Sequence, residues 1–342
     1  DDAHAGLLYS MKDLTSPTEQ LVQKTGETNP IDKWERKRFL LRVIASICIF
    51  FVPISGIFYV PAMGPIQSDF DASSLEMTLS IVSYSLMSGI MPIFYGPITD
   101  YFGRKRPLLI TLTGYFFSTL FCGFSVDVWM LILGRSLQGT FNSSFTTFST
   151  CIIADIVPPK QRANAVAQSM LLAMLGNIIG PPLSGLIVHY IGWRWIFFVI
   201  AIGTIISLIL VFFFLPETKA PRAPNDIFVF NPLLPLKLVS SFPFIAVVIP
   251  NALTFALMYV MNSQTSTIVL EYYDYSPLVI GLLIVPFGFG TIIGSAAGGK
   301  ISGLLRARFG LVSGLLMSPV SSIIVILSAL WYGWVMPISA VA

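Results

Sequence analysis

Apolar runs of about 20 residues recur along the chain, separated by short polar links. A run of that length crosses a hydrocarbon layer of about 30 Å as a helix. The pattern predicts spans over Phe39–Pro61, Leu75–Ile98, Pro107–Phe124, Val128–Ile153, Ala163–Tyr190 and Trp195–Leu215. Three more follow at Phe242–Asn262, Pro277–Ala297 and Gly310–Trp331, and the chain stops inside what reads as a tenth. The ten-residue alternation of an outer-membrane barrel does not occur.

Composition agrees. Charged residues make up 11% of the 342 positions and hydrophobic ones 55%, where a soluble domain carries roughly 25% charged. The expected class is an all-α polytopic membrane protein. The three cysteines, Cys48, Cys122 and Cys151, all lie in apolar runs. They suit helix packing, and their spacing matches neither a metal site nor a disulfide framework.

The distribution of charge says more than its net value of +3. Arg135 lies inside a span and Arg194 in the link after the fifth. All other Lys and Arg lie in the N-terminal tail, at its junction with the first span, or in the links after spans 2, 4, 6 and 8. The links after spans 1, 3 and 7 carry Asp69, Asp71, Asp127, Glu271 and Asp274, with no Lys or Arg. The positive-inside rule therefore places the N-terminus in the cytoplasm.

Residues 1–38 read as a polar cytoplasmic tail, without a cleavable signal peptide. The chain begins at Asp1 rather than Met, and a non-native start is expected. Residues 39–215 form a first bundle of six helices. Residues 216–241 form a central cytoplasmic link with five prolines, which cannot be one continuous helix. Residues 242–342 form a second bundle, cut short after about three and a half helices. Its GGKISGLLRARFG segment, Gly298 to Gly310, reads as a basic link like the one after span 2.

That link after span 2, YGPITDYFGRKRPLL, is the most informative segment. Gly96, Asp100, Gly103, Arg104 and Lys105 fit G-x-x-x-D-x-x-G-R-K. Gly96 suits close helix approach, and Gly103 a turn with positive φ. Asp100 lies within reach of Arg104. Cations alone would mark only the cytoplasmic face; the spaced Asp and Gly require something further. The pattern resembles the signature loop of the major facilitator superfamily of transporters.

Two more segments strengthen the resemblance. In LILGRSLQGT, Arg135 is the one basic residue deep in a span, and such a charge faces the bundle interior and has a function. Arg135, Gln138 and Gly139 resemble the superfamily's fourth-helix motif, whose arginine is implicated in proton coupling. In LGNIIGPPLSG, Gly176 and Gly180 form a small-xxx-small face, and Pro181 and Pro182 predict a kink. With Gly185, this resembles the motif of antiporters, G-x-x-x-G-P-x-x-G-G. Ser184 stands where that motif has glycine, and Ala167 where a more distal glycine is usual.

ADIVPPKQR (Ala154 to Arg162) and LPET (Leu215 to Thr218) also resemble family segments. The whole is most similar to fungal twelve-span drug:proton antiporters, which implies about three helices more than this chain supplies. The second half departs from the pattern, with Gly303 where the loop's acid would repeat.

The resemblance implies two pseudo-symmetric bundles and alternating access around a central cavity. Asp100, Arg104 and Asp155 would form a latch of the outward-facing state, released by protonation or strain. Tyr59, Tyr84, Asn142, Phe145, Asn251, Tyr259, Asn262 and Gln264 are candidate cavity residues, suited to amphiphilic or cationic compounds. Glu76, Glu271 and Asp274 lie near outer ends, and no acid falls mid-span, so the proton carrier is not evident.

The expected partners are a small-molecule substrate, protons and the lipid bilayer, with no nucleic acid, no cofactor and no metal. The proton gradient is the energy source. A monomer in the plasma membrane is expected. A proton-coupled uptake symporter for a sugar or other nutrient shares the fold, and the helix 5 motif argues against it. A polyamine exporter would want a buried carboxylate. An enzyme is disfavoured: His4 is in the tail and His189 stands alone near an outer end.

Overall fold

The computed structural model describes residues 37–219, 245, 247–257, 260–261, 276–309 and 323–328. Among these, all regular structure is helical. The first bundle comprises α1 (Arg38–Ile57), α2 (Met63–Phe70), α3 (Ser74–Ile90), α4 (Pro92–Phe102), α5 (Lys105–Gly123), α6 (Val128–Ile156), α7 (Pro159–Tyr190) and α8 (Arg194–Phe214). The second half contributes α9 (Val247–Leu257), α10 (Pro277–Leu283) and α11 (Val285–Phe309).

Proline explains where the spans depart from the sequence pattern. The first span is broken: α1 ends at Ile57, a 3-10 turn covers Val60–Ala62, and α2 follows. Pro61 has no N–H for the helical ladder at that point. The second span is two helices, α3 and α4, bent by 42° at Pro92, which likewise cannot donate to the preceding turn. Gly298 to Gly310 is not a loop, since α11 continues to Phe309.

Tight turns need special backbone. Gly103 (φ 85°) separates α4 from α5, and Gly192 (φ 106°) separates α7 from α8. Asp127 caps α6 by accepting from the Met130 N–H at 2.6 Å. Ser73 and Glu76 form a reciprocal capping box at the start of α3.

α6 is the centre of the bundle and packs against α1, α3 and α5. Its buried face mixes glycine, serine, Arg135, Gln138 and Asn142 with Phe145, Phe148 and Ile152. Small residues let helices approach where no hydrophobic drive acts between them. Many hydroxyls on α5 and α6 donate to their own preceding turn, as Thr113 does to Leu109 O and Thr140 to Ser136 O, which hides polar groups from lipid. Large apolar side chains such as Ile110, Ile202 and Phe213 face outward. Among the described residues, four helices are long and apolar enough to cross a membrane, or five with the bent pair.

The two halves meet along α7. Gly281 on α10 lies where a Cβ would meet the Pro181 carbonyl oxygen, and a Cβ on Gly288 of α11 would lie 2.9 Å from the Asn177 carbonyl oxygen. Asn177 is four residues before Pro181, so its carbonyl lacks the usual helical donor. Val60 packs on Ile280 and Ile284. These contacts lie in the half of the bundle that ends at Asp69, Glu76 and Asp127, the acidic end. Residues 104–106, 158–162 and 216–219 mark the opposite, basic end.

Candidate functional site

At the basic end, Arg104 gathers four segments. Its Nε donates to Asp155 Oδ2 on α6 at 2.9 Å. Its Nη1 donates to Thr99 Oγ1 at 3.0 Å and to Asp100 Oδ1 at 3.2 Å, both on α4. The backbone N–H groups of Arg104 and Lys105 donate to Oε1 and Oε2 of Glu217, at 2.8 and 3.1 Å. These are first-turn donors of α5 with no helical acceptor, and a carboxylate there also suits the helix dipole. Lys105 Nζ meets the complementary pole, donating to Phe212 O at the end of α8 at 2.8 Å. Lys219 reaches Asp100, donating to Oδ1 at 3.1 Å and to the backbone carbonyl.

Burial disfavours the charge on Arg104, but Asp155 and then Asp100 outweigh it and raise the guanidinium pKa. Asp100 sits in the link, past the apolar run that ends at Ile98. Burial alone would raise its carboxyl, yet Lys219 and Arg104 hold it below the ordinary carboxylate range.

The structure thus brings Asp100, Gly103, Arg104, Lys105 and Asp155 together. Gly96 differs from expectation: among the described residues nothing lies within 4 Å of where its Cβ would be, so it serves no close helix contact there. Glu217 and Lys219 were not legible as site residues. Glu217 falls in the LPET segment that resembles a family segment, but neither its partners nor the role of Lys219, two residues on, follows from that pattern. The described network lies within the first bundle and its exit, while the two halves touch toward the acidic end.

The second cluster is mid-bundle. Arg135 is 1% exposed. Its guanidinium carbon lies 4.5 Å from the Tyr59 ring centroid and 4.1 Å from that of Tyr84, a cation held between two aromatic faces. Nη1 donates to Gln138 Oε1 and, at 3.2 Å, to Ser55 O. Gln138 Nε2 donates to Thr119 Oγ1 at 3.0 Å. Asn142 Nδ2 donates to the Tyr84 hydroxyl at 2.6 Å. Tyr59 OH and Ser80 Oγ are 2.7 Å apart. Among the described residues no carboxylate pairs with Arg135, and Arg135 Nε and Asn142 Oδ1 are buried without a hydrogen-bond partner.

Gly139 completes this cluster, because a Cβ there would lie 2.9 Å from the Tyr84 carbonyl carbon. It lets α6 meet the α3 backbone directly. On α7, Gly176 faces Pro53 and Ile54, Gly180 faces Phe58, and Pro181 meets Gly281. Gly185 is buried on the same helix. Ser184, the departure from the antiporter pattern, donates to the carbonyl of Phe58 at the break after α1.

The cavity candidates divide. Tyr59, Tyr84 and Asn142 are buried with Arg135, whereas Phe145 is buried further along α6, edge-on to Tyr115 at 5.0 Å between ring centroids. They do not line the described groove of about 600 Å³ between α3 and the second half, which is walled by Ser85, Leu86, Gly89, Phe255 and Val260 among others. Asn251 is exposed, its amide donating to Val247 O at 2.8 Å. Tyr259, Asn262 and Gln264 lie outside the described residues, as do Glu271 and Asp274. Glu76 is committed to its cap, accepting from the Ser73 N–H at 2.8 Å. Cys48, Cys122 and Cys151 are free thiols.

The described residues thus form a helical membrane bundle with a buried arginine and an inter-half seam of glycine and proline. The sequence model described as Major Facilitator Superfamily matches residues 45–342, and the chain belongs to that family. It is 27% identical over 335 residues to the MFS antiporter QDR2 of Candida albicans, covering 86% of this chain and 66% of that protein. It is 25% identical over 309 residues to citrate exporter 1 of Aspergillus niger, covering 80% and 59%. Its fold matches a bacterial homolog of the human lysosomal transporter Spinster, solved in an inward-facing, unoccupied conformation, with a TM-score of 0.62 at 16% identity over 84% of this chain and 73% of that one. The chain spans between 46% and 66% of the length of these and another curated relative.

Proposed function

We propose that the protein exports small amphiphilic compounds in exchange for protons, by alternating access. The observation that carries this reading is the state of Arg135. It is a buried cation held by two tyrosine rings and an amide, with an unused donor at Nε and no carboxylate partner among the described residues. Such a charge disfavours any second positive charge nearby. A proton and a cationic substrate then come close to Arg135 in turn rather than together, which is the requirement of exchange.

The direction rests on α7. Its Gly176, Gly180, Pro181 and Gly185 follow the antiporter pattern, with Ser184 and Ala167 in place of two glycines, and the relatives include a named antiporter and a named exporter. The basic end is assigned to the cytoplasm by its Lys and Arg, with the protein acting as a monomer in the plasma membrane. Contacts toward the acidic end then correspond to closure on the outer side. In that setting the Arg104 network stiffens the first bundle as one body and does not itself report an outward-facing state.

Deleting the gene tests direction. Cellular content of a labelled amphiphilic cation rises on deletion if the protein exports, and falls if it is an uptake symporter.

A further inference from the structure

Three consecutive residues at the break after α1 face three different parts of the molecule. Phe58 faces α7: its ring atom Cε1 lies 3.4 Å from where a Cβ on Gly180 would be, and its carbonyl accepts from the Ser184 hydroxyl. Tyr59 faces α6 and α3: its ring covers the Arg135 guanidinium at 4.5 Å and its hydroxyl meets Ser80 at 2.7 Å. Val60 faces the second half, where it packs on Ile280 and Ile284 of α10 and its junction with α11.

The break has a covalent cause. Pro61 has no N–H to offer the preceding turn. The Ala62 N–H donates to Tyr59 O at 3.1 Å, one residue short of the α-helical acceptor. That leaves the Phe58 carbonyl available, and Ser184 takes it. A buried carbonyl without a donor is costly, so the serine at the position where the antiporter pattern has glycine fixes the break against α7.

We propose that Phe58-Tyr59-Val60 is the coupling element between Arg135 and the contact between the halves, with Ser184 as its positioning residue. Three adjacent residues in one short turn cannot move independently. A change in the Tyr59–Arg135 stack displaces Val60 from Ile280 and Ile284, and the Ser184 bond sets how much of that displacement is transmitted rather than absorbed. The element works for any ligand or proton that alters the environment of Arg135. The proposal rests on the alternating-access part of the reading above, not on the identity of the coupling ion.

The test is pulsed electron spin resonance on the full-length protein in lipid nanodiscs. Spin labels are placed at the exposed positions Ile191 and Leu282, one in each half, after replacing the native cysteines by serine. The wild-type background is expected to show a short and a long distance whose ratio changes between pH 5.5 and 8 or on adding a transported cation. Arg135→Lys is expected to shift that ratio about fivefold, a typical size for contacting residues. The same substitution in a Val60→Ala, Ser184→Gly background is expected to shift it less than twofold. Tyr59→Phe, which keeps the ring over Arg135, is expected to retain the full shift, and Tyr59→Leu to lose it. An undiminished shift in the double background, or the same shift with Tyr59→Leu, overturns the coupling role while leaving alternating access standing. A single unchanging distance in the wild-type background overturns both.

Discussion

The carboxylate of Glu217 fills the space that a side chain on Gly103 would need: a Cβ there would lie 2.5 Å from Oε2. Two segments 114 positions apart are thereby made to fit one another. Gly103 supplies the turn at φ 85° and ψ −171°, a region essentially reserved for glycine. Glu217 closes over that turn and caps α5.

Gly103→Ala combines backbone strain with displacement of Glu217. The strain alone is about 1–3 kcal/mol. Thermal unfolding in detergent is expected to occur several degrees lower than in the native protein. Glu217→Gln, which keeps the acceptor oxygen for one N–H, is expected to lose less. Equal stability of Gly103→Ala and the native protein would contradict the fit.

Asp100→Asn is expected to cut transport while leaving folding intact, because its carboxylate is exposed yet bound by Arg104 and Lys219. The sign of the pH dependence follows from its lowered pKa. A depressed carboxylate contributes its ion pairs above its unfolded value of about 4 and loses them only as pH falls through the lower folded value. The network is thus intact throughout the physiological range, and strain rather than protonation of Asp100 must release it. Hydrogen–deuterium exchange of residues 95–109 at pH 5.5 and 7.5, after correction for intrinsic rates, should show equal protection.

Arg135→Lys keeps the charge and loses the planar group between Tyr59 and Tyr84. Lysine does not replace a stacked guanidinium, and a desolvated cation–π contact is worth about 2 kcal/mol or more. Transport is expected to fall at least tenfold with the protein still inserted and monodisperse. Near-native transport by this variant would show that the stack is incidental.

Gly139→Ala places a methyl group against the backbone of Tyr84, which cannot rotate away as a side chain would. Overpacking of this kind costs about 1–3 kcal/mol. It should also shift Tyr84 off the Arg135 guanidinium, so stability and transport are expected to fall together. Gly96→Ala, with open space around it among the described residues, is expected to change neither.

The helical bundle was legible because apolar length reports a span directly, and all six first-bundle spans begin within about four residues of an observed helix start. The breaks at Pro61 and Pro92 were less legible, since proline inside a membrane helix is tolerated when neighbours satisfy the freed groups. For Phe58 that neighbour is Ser184, which no local pattern announces. The signature segment gave Asp100, Gly103 and Arg104 as neighbours because they fall within one turn and a half of chain. Gly281 and Gly288 were invisible because their importance lies in distant backbone that they approach, and for the same reason LPET singled out Glu217 without its partners on α5. Tyr59 and Tyr84 were recognised as functional aromatics, but sequence spacing could not show that they turn toward Arg135 instead of the groove walled by Ser85 and Phe255.

Exchange of substrate for protons is tested most directly in liposomes holding the full-length protein and a fluorescent amphiphilic cation outside. An acidic lumen is imposed, and accumulation is followed with and without a protonophore, for native protein and for Arg135→Lys. The expected result is accumulation of dye against its gradient, abolished by the protonophore and lost in the variant. Accumulation that persists without the pH gradient, or dye leaving together with protons, would contradict proton-coupled export.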